Sequence, residues 1–248
     1  MSSATWQAFY QSDLQSVLAP TLLPALFLLW RALDRTPDDS GLVAGHASFV
    51  RGWALAFAGL CILDPLASGP GARALGLGDT ASSALLFLLV WLGDFRVFLL
   101  LSTLAAPVES RRRALLRAVV ATFAVPVVAG GGERALAAWR GPLPDTTLWL
   151  IYELAFCALA LGLRGGWVGS RVAPGPLRRY LRAVLGFVAT YYALWAAADL
   201  LILSGVDAGW GLRALPNQLY YGLFVPFAFF GFFPRTYAST STSTQASR

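Results

Sequence analysis

Seven stretches of this chain are apolar on every face, at residues 17–33, 52–67, 80–108, 118–131, 146–163, 183–204 and 215–233. A helix needs about 20 apolar residues to cross roughly 30 Å of hydrocarbon at about 1.5 Å per residue. Most of the seven reach that length, and 52–67 and 118–131 do so by borrowing flanking residues. Seven crossings is therefore the count, with six and eight as its neighbours. Nowhere does the ten-residue alternation of a membrane barrel strand occur, and runs such as 84–92 have no polar side to turn toward a lumen. The pattern predicts an all-α polytopic membrane bundle.

Composition agrees: 57% of the 248 residues are hydrophobic and 13% are charged, against about 25% charged in an ordinary soluble domain. The distribution of basic residues sets an orientation, because short cytoplasmic loops retain arginine and lysine. Fourteen of the 19 arginines fall in the loops after spans one, three and five or in the C-terminal tail. Four, Arg73, Arg134, Arg140 and Arg213, fall on the opposite side, and Arg96 lies within span three. The N-terminus is thereby expected outside and the C-terminus in the cytoplasm. Heavy arginine use without lysine, in a short polytopic chain, points to a bacterial inner membrane.

Residues 1–235 read as one transmembrane domain. Trp6, Phe9 and Tyr10 suit an interfacial stretch before span one, where neither the basic start nor the cleavage site of a signal peptide is present. Residues 236–248 are a Ser/Thr-rich run expected to be disordered in the cytoplasm. The segments 68–78, 130–145 and 165–176 are expected to be loops, with the Gly130-Gly131-Gly132 run marking a helix end or turn. No internal repeat indicates a transporter built of two inverted halves.

Several function classes fall away on single-residue grounds. With no lysine, neither a retinal Schiff base nor pyridoxal chemistry has its amine. The one histidine, His46, lies in a polar loop, so no multi-histidine zinc or haem site can form within the membrane. Cys61 and Cys157 lie in separate apolar runs with no Cys-x-x-Cys context and read as packing residues. No cofactor and no metal site is expected. Arg171, Arg178, Arg179 and Arg182 form a basic stretch that reads first as a topology signal. Membrane lipids and a membrane protein are the partners in view, and nucleic acid is not.

What demands explanation is charge inside the spans, where each ionised group costs about 2.5–3.5 kcal/mol even on the lenient insertion scale. Span three carries Asp94 and Arg96, span five Tyr152 and Glu153, and span six Asp199. Asp64 stands at the outer end of span two and reads as interfacial. Counting inward from Asp79 places Asp94 about 22 Å along its helix, near mid-membrane. Glu153 and Asp199 are each eight residues, about 12 Å, from an outer acid. Asn217, Gln218, Tyr220 and Tyr221 occupy the outer end of span seven, and Tyr191, Tyr192 and Trp195 add hydrogen-bonding groups to span six.

If these groups converge, they line a pocket open to the non-cytoplasmic side. Its expected ligand-binding set is Asp94, Arg96, Tyr152, Glu153, Tyr192, Trp195, Asp199, Asn217, Gln218 and Tyr221. Asp94 and Arg96 cannot neutralise each other, because residues two apart on a helix point about 200° apart. Arg96 is expected to reach Glu153 or Asp199. Acids exceed bases by two, so the pocket should hold a proton or attract a cation.

The pieces Leu92-Gly93-Asp94 and Ala196-Ala197-Ala198-Asp199, followed by tyrosines in the last span, resemble the Gly-Asp and Ser-Asp helices of the lysoplasmalogenase membrane proteins. That resemblance implies that Asp94 and Asp199 act as acid and base on a vinyl ether lipid. The chain departs from the family pattern in having two spans between the acids instead of three, alanine in place of the serine, and Arg96 as an addition. Three readings follow. The first is a carrier or sensor binding a small ligand, cation or proton, hence transport. The second is an intramembrane enzyme with Asp94, Asp199 or Glu153 as acid and base and Arg96 stabilising developing negative charge. The third is an accessory subunit whose polar residues meet a partner or merely fix helix register.

Overall fold

The computed structural model describes residues 5–34, 41–105 and 111–233. These are almost wholly helical and contain no strand, as backbone groups in hydrocarbon require when every N–H and C=O must find its partner within the segment. A short helix α1 (Thr5–Gln11) precedes α2 (Leu14–Leu33), α3 (Ala47–Ala74), α4 (Asp79–Ala105), α5 (Arg111–Arg140), α6 (Asp145–Arg171) and α7 (Pro176–Leu203). A final helical run, α8, covers 208–232. Among the described residues six helices, α2 to α7, are long and apolar enough to cross a membrane. The polar residues Asn217 and Gln218 and two tyrosines dilute α8, which nonetheless packs beside α2, α3 and α7 as a member of the bundle. Successive helices are neighbours and α8 returns to α2, so the chain closes on itself as a ring.

Lipid-facing and inward surfaces separate cleanly. On α2, Leu22, Leu26, Leu29 and Leu33 are exposed at i, i+4, i+7 and i+11, one stripe of a helix, while Pro24 and Phe27 are buried. Helix ends use ordinary chemistry. Asp79 and Asp145 stand in the first turns of α4 and α6, where an acid meets the positive end of the helix dipole. Gly205 (φ 77°) ends α7 and lets Val206 N–H return to Leu201 O at 2.9 Å; Gly76 (φ 59°) does the same after α3, with Leu77 N–H on Ala72 O at 3.1 Å.

Three expected loops are shorter than the sequence indicates. The Gly130-Gly131-Gly132 run is neither a helix end nor a turn: α5 continues through it to Arg140. Likewise α3 runs on to Ala74 and α6 to Arg171. Glycine's helix penalty is small beside the cost of an unsatisfied backbone group in hydrocarbon, so the helices persist until water is available. The tail 236–248 lies outside the described residues.

Among the described residues four widened, π-type turns interrupt the helices: Leu14–Leu18, Ala67–Gly71, Leu163–Trp167 and Gln218–Leu223. Three accompany a proline that lacks the N–H of a normal turn, Pro20 after the first, Pro70 inside the second and Pro216 before the last; Gly165 and Gly166 lie in the remaining one.

Candidate functional site

A cavity of about 260 Å³ lies at the end of the bundle where α2, α3 and α8 carry prolines and widened turns. Every helix but α5 contributes to its wall. The spacing puts the wall residues on single helical faces: Trp149, Tyr152 and Glu153 on α6; Tyr192 and Trp195 on α7; Arg213, Asn217, Tyr220 and Tyr221 on α8. The π turns supply Ser16, Ser68, Tyr220 and Tyr221. Tyr10 of α1 lines the cavity from its own end, held there by Trp6 N–H donating to Asp207 Oδ2 at 3.0 Å and by Tyr10 packing on Trp210.

Asp94 and Arg96 leave α4 in different directions, as their spacing requires. Asp94 is fully buried and accepts hydrogen bonds from the hydroxyls of Tyr152 and Tyr192 on α6 and α7. Two neutral donors thus solvate the carboxyl from behind the cavity wall. Arg96, also 0% exposed, turns toward α3 and α8. It donates to Cys61 Sγ and to Tyr220 O, both at 2.8 Å, and its guanidinium carbon stands 4.1 Å from the centre of the Tyr220 ring and 4.8 Å from that of Phe224. Trp53 Nε1 donates to the Arg96 carbonyl at 2.9 Å. The expected contact of Arg96 with Glu153 or Asp199 does not form. Helical phase turns Arg96 away from α6 and α7, and a guanidinium can be held by ring faces and a soft sulfur instead.

Gly93 makes this arrangement fit, since a side chain there would run into the Tyr220 hydroxyl. Cys61, expected only to pack, is therefore also an acceptor for a buried cation.

Asp199 finds a different cation. Arg213 grips it with two parallel hydrogen bonds, Nε to Oδ1 and Nη2 to Oδ2, both at 2.5 Å. Such a fork is the strong form of an ion pair, and Asp199 is wholly buried beneath it. Asp64 is buried at 4% exposure instead of standing at the interface, and its Oδ2 accepts from Tyr221 at 3.1 Å. The buried Oε2 of Glu153 receives no hydrogen bond from any described residue. Trp195 Nε1 donates to Asn217 Oδ1 at 2.9 Å, and Asn217 Nδ2 to the Tyr10 hydroxyl at 3.3 Å. Gln218, the first residue of the last π turn, does not line the cavity and leaves its Nε2 without a partner among the described residues.

Of the ten residues expected to bind a ligand, six stand on the cavity wall: Tyr152, Glu153, Tyr192, Trp195, Asn217 and Tyr221. Asp94 and Asp199 lie one layer back, each held by wall residues, and Arg96 lies beneath Tyr220. Sequence reasoning missed Arg213 and Trp149 as wall residues, read Asp64 as interfacial, and left Tyr220 out of the ligand-binding set although it named it among the converging groups. Arg213 had a usable signal, because it precedes Asn217 by four and Tyr220 by seven and so shares their face once α8 is seen to begin at residue 208. Among the described residues no three His, Cys, Asp or Glu side chains group as a metal site.

A second pocket, about 450 Å³ between α4, α5 and α6, is nearly all apolar, with Ser102, Arg117 and the Trp167 indole as the polar side chains in its lining. No protein-family description, curated protein or solved structure matches this chain.

Proposed function

We propose that this protein binds a small solute in the cavity between its helices, from the non-cytoplasmic side of a bacterial inner membrane, as a carrier or sensor does. The observation that carries the reading is a cavity bearing two acids, Asp64 and Glu153, that no arginine grips. Structural charges inside a membrane are matched, as Asp199 is with Arg213, because an unmatched one is costly. Acids left unmatched at the wall of a cavity large enough for a small molecule are what a ligand or proton site requires. The side of entry follows from the arginines: the cavity end of the bundle carries Arg73, Arg134, Arg140 and Arg213, while the opposite end carries the basic majority.

The acid–base enzyme reading finds less support. Asp94 and Asp199 are each already engaged, by two phenols and by an arginine, and neither lines the cavity where a substrate would sit. The test is a thermal-shift panel of cationic, neutral and anionic solutes on the purified full-length protein in detergent. A solute should stabilise the wild type and lose that effect in the Asp64→Asn, Glu153→Gln double variant. Equal stabilisation of both proteins by every solute would refute the reading.

A further inference from the structure

Six aromatic side chains form an unbroken arc on the cavity wall. Ring centres are separated by 6.0 Å from Trp149 to Tyr152, 6.3 Å to Tyr192, 5.5 Å to Trp195, 5.2 Å to Tyr220 and 4.8 Å to Tyr221. All six line the same space. Their polar handles are largely committed elsewhere. The hydroxyls of Tyr152 and Tyr192 donate to Asp94, that of Tyr221 to Asp64, and the indole N–H of Trp195 to Asn217. What the arc offers a solute is therefore ring surface, whose negative face attracts a cation. Opposite charge comes from Asp64, on α3, and Glu153, on α6.

From this wall we infer that the solute is an organic cation, an ammonium group carrying methyl or other small apolar substituents. The inference rests on the solute-binding reading above and names its ligand class.

Competing classes fit the wall less well. A bare metal ion must replace its hydration shell with several oxygens at fixed distances, and no cluster of three acidic, histidine or cysteine side chains exists among the described residues. Ring faces are poor substitutes for those oxygens, whereas an alkylated ammonium is weakly hydrated and gains from them. An anion would have Arg213 alone, and two of its donors are already on Asp199. Four carboxyls, Asp64, Asp94, Glu153 and Asp199, surround the cavity with two arginines, Arg96 and Arg213, so a positive solute reduces the imbalance and a negative one enlarges it. At about 260 Å³ the space is slightly below the roughly 300–1,000 Å³ of drug-sized pockets, which suits a small ion.

The decisive comparison needs no mutation. Choline and its uncharged isostere 3,3-dimethylbutan-1-ol share a shape and differ in charge. Each is titrated calorimetrically into the full-length protein in nanodiscs, alongside tetramethylammonium, sodium and acetate. Choline and tetramethylammonium should bind saturably, and the isostere about tenfold more weakly or worse, the factor expected from a desolvated cation–π contact plus a nearby carboxylate. Trp195→Leu should weaken choline by a similar factor, and Trp195→Phe should restore most of it. If the isostere or acetate binds as well as choline, or sodium displaces choline at equal concentration, the ligand class is wrong while solute binding stands. If no probe binds, the ligand class is wrong, and the broader thermal-shift panel decides separately whether solute binding stands.

Discussion

At the arginine-rich end of the bundle, α2, α7 and α8 meet through aromatic rings; at the other end the same three helices stand around a cavity. Phe27 packs edge-on to Phe229 at 5.5 Å, Trp30 lies 5.0 Å from Phe230, and Tyr180 is 5.8 Å from Phe232 while donating to Ala228 O at 2.9 Å. Arg31 and Arg51 cover these rings, their guanidinium carbons 5.0 Å and 5.4 Å from Phe229 and Phe233. Along α8 the change from closed to open falls at the widened turn Gln218–Leu223, directly after Pro216. Where rings alone meet, the helices close. Where acids, amides and phenols meet, they hold one another at a distance and leave room. Lipid supplies no hydrophobic drive to collapse such a gap, so packing detail and polar contacts decide the spacing.

The largest effect that would break this contrast is expected at Arg213. Arg213→Gln strands Asp199, a wholly buried carboxylate, and should cost about 3–5 kcal/mol of stability. Adding Asp199→Asn should recover most of it, which a double-mutant cycle of melting temperatures checks. Next comes the closed end: Phe229→Ala should cost on the order of 3 kcal/mol by opening a packing defect. Solute binding at the far end should not change, as titration of the variant will report. Tyr192→Phe removes one of the two donors to Asp94 and should cost roughly 1.5 kcal/mol, the lower range for a hydrogen bond to a charged group. The smallest stability change is expected at Glu153→Gln, within about 0.5 kcal/mol because no partner is lost, while solute binding falls. A Glu153 variant as destabilised as the Arg213 variant would make Glu153 a structural acid.

The sequence made the bundle readable because its apolar runs are long, and made the split of Asp94 and Arg96 readable because two residues of helix set their directions. Partners were less legible. Cys61 and Tyr220 become ligands of Arg96 only through helix-to-helix distances that no local pattern encodes. Arg213 reads as a loop cation in the sequence, since α8 begins seven residues before its apolar run; from residue 208 it is an interior helical position. Asp64 looked interfacial because Pro65 follows it, yet α3 continues through that proline to Ala74 and carries the acid inward. The length of α5 was hidden by three consecutive glycines, residues that end helices in water and are tolerated within a membrane.

The most direct test of an open outer end against a closed inner one is side-specific thiol labelling. Ser68→Cys places a near-isosteric thiol on the cavity wall, and Ser102→Cys places one in the apolar groove between α4, α5 and α6. Both are made in a Cys157→Ser chain that keeps the buried Cys61. Spheroplasts exposed to a membrane-impermeant maleimide should label Ser68→Cys, with choline slowing the reaction, and should leave Ser102→Cys unmodified. Labelling of Ser68→Cys only in inside-out vesicles, or from neither side, would contradict a cavity that opens to the outside.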